Sequence, residues 1–269
     1  MKLIYTLIGI LAVGVVGFYA FTSYIYNEKQ ADPADVVTEV PAEATMMDTN
    51  PVMVTPISHA TMVLNIGGVN VYVDPVGGAE AFAGQPQADI VLVTDIHDDH
   101  LSTSTLEAVV TGATTLIVPQ AVKDLLPAAL AAKALVMAND EVVTEQGLAI
   151  TAMPMYNVPE TDDSRHAKGR GNGYLIEVDD TRVYIAGDTG PIPEMKALTG
   201  IDMAFIPMNL PYTMGVEEAV QAVVAFAPAQ VYPYHYRQPD GFADVEKFKT
   251  LVSAANPNIE VVLLPWYAQ

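Results

Sequence analysis

The chain has 269 residues, 51% of them apolar, enough for one large domain or two small ones around a sizeable core. Its 32 acidic residues against 12 Lys plus Arg give a formal charge of -20. That argues against nucleic acid held by counterion release, and against an anionic membrane surface bound through the folded part. There is no cysteine, which excludes disulfides, thiolate metal ligands and a cysteine nucleophile.

The amino end carries no charge from Leu3 to Tyr26. As a helix this stretch would rise about 36 Å, enough for a hydrocarbon core of roughly 30 Å. Tyr19, Phe21, Tyr24 and Tyr26 crowd its far end like an interfacial belt. The expectation is a transmembrane anchor over residues 1–26, with a cleaved signal peptide as the rival. Lys2 on the near side places the following domain outside the cytoplasm, periplasmic or extracellular, or secreted if the segment is cleaved. Residues 27–51, acidic and carrying Pro33 and Pro41, read as a flexible tether.

A folded domain is expected over 52–269. VMVTPIS, TMVLNI and VNVYVDP read as strands, the last two joined by a hairpin at Gly67-Gly68. Ile90 to Thr94 is a continuous apolar run, as in a strand covered on both faces. Ser102 is a candidate cap for a helix over 103–110. TLIVP (115–119) is a strand, followed by a short helix from Gln120 with Pro127 as its candidate breaker. LAITAMPMYNV, GYLIEV and TRVYIAGD supply further strands, the last two linked by a turn at Asp179-Asp180. MAFIPM, QVYPYH and IEVVLLP end the series, with helices over 216–226 and 242–254 between them. This order predicts an α/β fold of two stacked mixed sheets with outer helices. No repeat and no glycine-rich phosphate loop is present.

The densest chemistry lies in DIHDDHLS, where Asp95, His97, Asp99 and His100 crowd into six residues after the apolar run. Carboxylates and imidazoles this close repel or dehydrate one another unless a cation sits among them. In extended backbone, side chains two apart point the same way, so Asp95, His97 and Asp99 can converge. His59 in PISHATM, His166 in RHAKGRGNGY, Asp188 in AGDTG and His235 in YPYHYRQ also fall at strand ends or in loops. All five histidines of the chain are thus accounted for. Singly, each has a plain alternative as a core or turn residue; jointly they point to a metal-dependent hydrolase.

From Val52 onward, about four-fifths of the chain, the sequence resembles the metallo-β-lactamase-fold hydrolases, in particular a lactonase- and phosphodiesterase-like branch. That family's first motif is His-x-His-x-Asp-His after a buried strand. Here Asp95 stands where the first histidine is usual. The resemblance implies an αββα sandwich and two divalent ions. Asp95, His97 and His166 would hold the first ion, and Asp99, His100 and His235 the second. Asp188 would bridge them, and His59 would lie close by. Asp99, His59 and Asp188 are then the candidates for the catalytic step. Four imidazoles and three carboxylates suit zinc first, with manganese or iron open. Two such ions with a bridging hydroxide would hydrolyse an ester, lactone or phosphodiester.

Tyr156, Asn157, Tyr212 and Tyr236 are candidate pocket walls. Arg165, Lys168 and Arg170 either meet a substrate anion or offset the acidic cluster. The expected partner is a small-molecule or lipid-like substrate, together with a membrane reached through the amino-terminal helix. The alternatives are a non-catalytic metal-binding surface protein and a di-iron redox protein, although the latter lacks the flavin-binding partner domain it would usually need.

Overall fold

A computed structural model describes residues 52–267. The expected anchor (1–26) and tether (27–51) lie outside the described residues. The strands β1 (Val52–Ser58), β2 (Thr61–Ile66) and β3 (Val69–Val73) pair antiparallel. Gly67 and Gly68 join the last two with φ of 58° and 92°, the left-handed conformations that a tight hairpin requires. β4 (Ile90–Leu92) follows in parallel. Ser102 Oγ accepts from the Thr105 amide and caps α1 (Thr103–Val109). Next come β5 (Thr115–Val118), α2 (Gln120–Lys123), α3 (Ala128–Ala131) and β6 (Ala134–Val136), which complete a sheet of order β1-β2-β3-β4-β5-β6.

The second half begins with an antiparallel meander: β7 (Val142–Glu145), β8 (Leu148–Met155), β9 (Gly171–Val178) and β10 (Thr181–Ile185). It then alternates α4 (Pro193–Lys196), β11 (Met203–Pro207), α5 (Val216–Phe226) and β12 (Gln230–Tyr234). A short hairpin, β13 (Arg237–Gln238) and β14 (Gly241–Phe242), precedes α6 (Val245–Ala255) and β15 (Glu260–Val261). The second sheet has the order β15-β12-β11-β10-β9-β8-β7.

Period-two alternation sorts the side chains into layers. Leu64, Val71, Val73, Ile90 and Leu92 face inward and meet Ile150, Tyr174, Ile185, Phe205 and Tyr234 of the other sheet. Their neighbours Val63, Tyr72 and Val91 face outward onto Leu106, Val122 and Leu130 of α1 to α3. On the opposite side Leu175, Tyr184 and Ala204 pack against Met195, Val223 and Phe248 of α4 to α6. The result is the expected αββα sandwich of two stacked mixed sheets.

Several elements differ from the sequence reading. The last long helix starts at Val245, because the turn before Gly241 folds Phe242 into a hairpin and Asp244 caps the helix instead. The apolar run at 259–265 is a strand only over Glu260–Val261. β6, β7 and α4 are short elements that the sequence did not announce. The expected localisation, a membrane-anchored extracytoplasmic domain, is corrected. Among the described residues no helix is long and apolar enough to cross a membrane, and the segment that suggested one lies outside them.

Candidate metal centre

Functional side chains gather where the parallel strands end, as in open α/β sheets generally. Asp74 follows β3, Asp95 to His100 follow β4, Asp188 follows β10 and His235 follows β12. His59 sits in the β1–β2 turn, and His166 comes from the loop between β8 and β9. Three of these residues, His59, Asp74 and His235, hold φ of 56°, 45° and 47°. Left-handed backbone is uncommon outside glycine and is kept where surroundings over-determine it, often at functional sites.

The seven candidate ligands and His59 converge. His97 Nδ1 lies 2.7 Å from Asp95 Oδ2, and His166 Nε2 lies 3.8 Å from the same oxygen. His100 Nε2 and His235 Nε2 face each other at 3.2 Å. Asp188 stands between the two groups. Its Oδ2 is 3.2 Å from His166 Nε2 and 3.3 Å from His100 Nε2, while Oδ1 is 3.3 Å from His235 Nε2. Asp99 Oδ2 lies 3.4 Å from His235 Nε2 and 3.2 Å from His59 Nε2. Donor atoms of Asp95, His97 and His166 fall within 4.8 Å of one another, as do those of His100, Asp188 and His235.

These donors fit divalent cations. His97 Nδ1, His166 Nε2 and Asp188 Oδ1 are buried without a hydrogen bond among the described residues, although each has another donor atom nearby. Atoms arranged in that way present lone pairs to a common point. Electrostatics agrees. Burial works against charge on Asp188, yet His235 and His100 outweigh it and hold its carboxyl well below the usual range. Burial also lowers proton affinity at His100, but Asp188 and Asp74 outweigh it and raise that imidazole well above its ordinary value. At Asp99, burial is outweighed by hydrogen bonds from His235 and His59, so this carboxyl too is held below the usual range. A pocket that stabilises positive charge so strongly attracts a proton or a metal ion.

Residues that the sequence did not single out orient the cluster. Asp74 Oδ2 accepts from His100 Nδ1 at 2.8 Å and from the Thr94 hydroxyl at 2.7 Å, while Oδ1 accepts from the Thr94 amide at 2.7 Å. The side-chain amide of Asn209 lies 3.0 Å from His235 Nδ1. Partners of this kind fix ring orientation and tautomer at metal sites. The one signal for Asp74 in the sequence was an Asp-Pro step closing an apolar strand.

The basic cluster near His166 is already paired. Arg170 binds Asp95 through two nitrogens, Nε at 3.2 Å and Nη2 at 2.9 Å, and Lys168 Nζ sits 2.7 Å from Glu194. Arg165 lies over the Tyr212 ring at 4.7 Å. Of the two roles open for this cluster, the geometry favours offsetting carboxylates. Burial opposes charge on Asp95, but His97, His100 and Arg170 outweigh it and lower its pKa.

The expected pocket walls also differ. Asn157 Oδ1 accepts from the His166 amide at 2.8 Å and the Tyr212 carbonyl faces His166 Nδ1 at 3.1 Å, so both brace that histidine. A cavity of about 520 Å³ instead lies beside His59 and Asp99 and is lined by Ile57, Val76, Ala81 and Arg237.

Gly171 lets β9 pass closely under Asp95. A Cβ there would come 2.7 Å from the Thr94 carbonyl oxygen. Gly171→Ala should therefore destabilise the fold by about 1–3 kcal/mol, as overpacking does. Urea denaturation checks this; an unchanged midpoint would show that the backbone yields freely.

Comparison with known proteins fits this geometry. The beta-lactamase superfamily domain matches residues 53–235. A UPF0173 metal-dependent hydrolase of Thermococcus onnurineus is 31% identical, over 77% of this chain and 94% of its own. A crystal structure from Parabacteroides distasonis, of a protein proposed to be a metal-dependent hydrolase, aligns with TM-score 0.69 and 35% identity, covering 79% of this chain and 92% of that one. Igni18, a metallo hydrolase from Ignicoccus hospitalis, aligns with TM-score 0.66 at 24% identity, covering 79% and 94%, and attests the fold.

Proposed function

The chain belongs to the metallo-β-lactamase superfamily and is a metal-dependent hydrolase, and on that premise we propose that it works through two divalent ions on an ester, lactone or phosphodiester. The observation that carries this reading is the place of Asp188. Its Oδ2 lies between His166 of one group and His100 of the other, and its Oδ1 faces His235. A carboxylate so placed lowers the repulsion between two cations. His97, His166 and Asp95 would hold one ion; His100, His235 and Asp99 would hold the other. Zinc suits this donor set best, and the Asp95 carboxylate makes the first position more favourable to manganese or iron than a histidine would.

Bound ions of this kind polarise a carbonyl or phosphoryl oxygen and make water a nucleophile near neutral pH. The protein's own groups do the rest. Asp99, shared by the donor cluster and the cavity wall, accepts hydrogen bonds and orients the attacking group. Ile57, Val76 and Ala81 take the substrate's apolar part and exclude water from the reacting bond. Arg237, on the same cavity, meets a carboxylate or phosphate on the substrate.

Protein purified without added metal and dialysed against a weak chelator should retain about two metal equivalents by elemental analysis. It should cleave members of a chromogenic panel of phosphodiesters, esters and lactones. Asp95→Ala should release one equivalent selectively and leave the His100, Asp188, His235 position filled. A folded parent chain with metal content near zero would sink the dinuclear reading.

A further inference from the structure

Each imidazole of the cluster turns one ring nitrogen inward, and its outward partner decides whether that nitrogen carries a lone pair or a proton. The outward partner of His100 is the Asp74 carboxylate at 2.8 Å, and that of His166 is the Tyr212 carbonyl at 3.1 Å. Carboxylates and carbonyls only accept. Nδ1 of each ring therefore carries the proton, and Nε2 presents a lone pair inward.

His59 is held the other way round. Its Nδ1 meets the Tyr267 hydroxyl at 2.7 Å. That oxygen already accepts two backbone amides, Tyr236 at 3.1 Å and Arg237 at 3.0 Å. A phenol has two acceptor positions and one proton. With both acceptor positions used, the hydroxyl proton points to His59 Nδ1. A neutral His59 then carries its own proton on Nε2, 3.2 Å from Asp99 Oδ2.

The surrounding fold keeps both rings in place. Tyr267 packs against Tyr236 and Phe242 with ring centroids at 4.9 and 4.7 Å. The His59 ring lies tilted against that of His235 with centroids 3.8 Å apart, and the His235 amide donates to the His59 carbonyl at 3.2 Å.

We infer that Tyr267 is a positioning residue that fixes His59 as its Nε2–H tautomer, making His59 a hydrogen-bond donor on the cavity wall rather than a metal ligand. The inference rests on the metal-centre reading for its functional meaning. By distance alone His59, Asp99 and His235 make a third possible cation position, their donor atoms lying within 4.8 Å of one another. A proton on Nε2 removes it. The same N–H steadies Asp99, which lines the cavity beside His59. A donor held in place beforehand keeps that carboxylate oriented without reorganisation during hydrolysis.

The test is ¹⁵N NMR of the zinc-loaded full chain with labelled histidine, His59 being assigned by the signal lost in His59→Gln. The expected result is a protonated Nε2 and an unprotonated Nδ1 at His59, with the opposite pattern at His100 and His166. Tyr267→Phe keeps the ring packing and removes the hydroxyl. It should turn His59 into a tautomer mixture and lower kcat about tenfold, with KM and metal content unchanged. His59→Gln, which keeps an N–H donor, should retain both metal equivalents and more activity than His59→Ala. A proton on Nδ1 of His59 in the parent, or loss of a metal equivalent in His59→Gln, would overturn the inference. A parent chain that binds no metal would instead overturn the dinuclear reading, and the His59 tautomer is still read from the same spectrum.

Discussion

Asp188→Asn should lower kcat/KM by at least ~100-fold, about 2.7 kcal/mol of transition-state stabilisation, while the protein stays folded. The carboxylate is almost fully buried and approaches three imidazoles at 3.2 to 3.3 Å. The amide keeps its size but loses the charge, and turns an N–H₂ group toward nitrogens that present lone pairs. Both sides of the cluster then lose their common counter-charge. The local chain does not depend on that charge, since the Asp188 amide donates to Met155 Sδ whatever the side chain. Steady-state kinetics on any cleaved chromogenic substrate decides the matter, with circular dichroism as the folding control. A near-parental rate at saturating metal would make Asp188 a turn residue.

Asp74→Ala is expected to act on stability and metal affinity together. It leaves the His100 Nδ1–H, the Thr94 hydroxyl and the Thr94 amide buried without their acceptor. Breaking a buried charged pair from one side costs roughly 3–5 kcal/mol. Alanine at φ 45° adds backbone strain. With His100 free to turn, metal affinity should fall about 10- to 100-fold. Urea denaturation and metal titration measure the two effects separately. A parental midpoint would mean that water replaces the carboxylate at little cost. Parental affinity with lowered stability would confine Asp74 to the fold.

Most of the candidate site was legible in the sequence because its chemistry is local. Asp95, His97, Asp99 and His100 announce themselves by spacing, and with only five histidines in the chain each remaining one drew notice. What it hid depends on contacts between distant segments. Arg170 meets Asp95 from 75 residues away, and Tyr267 meets His59 from 208. No local pattern marks either pairing, and Tyr267 reads as one more aromatic near the end of the chain. The fold divides in the same way. Strands with strict alternation, such as β2 and β3, were legible because each face meets a different layer. β7 was not, since Val142 and Thr144 carry too little apolar contrast, and it forms by pairing with β8. The start of α6 was misplaced because Phe242 continued the apolar period, whereas its backbone pairs with Arg237.

The donor cluster draws on both sheets. His100 and Asp74 stand at the end of one, while Asp188 and His235 stand at the end of the other, and His100 and His235 are separated by 135 residues. A cation held between them would be a reversible crosslink closing a long loop, in a chain that has no cysteine to make one. Occupancy and folding would thereby be one equilibrium: at a thousand times the dissociation constant, a single ion would add about 4 kcal/mol to stability. A chelator would then act as a denaturant, one that opens the protein along the seam between its sheets.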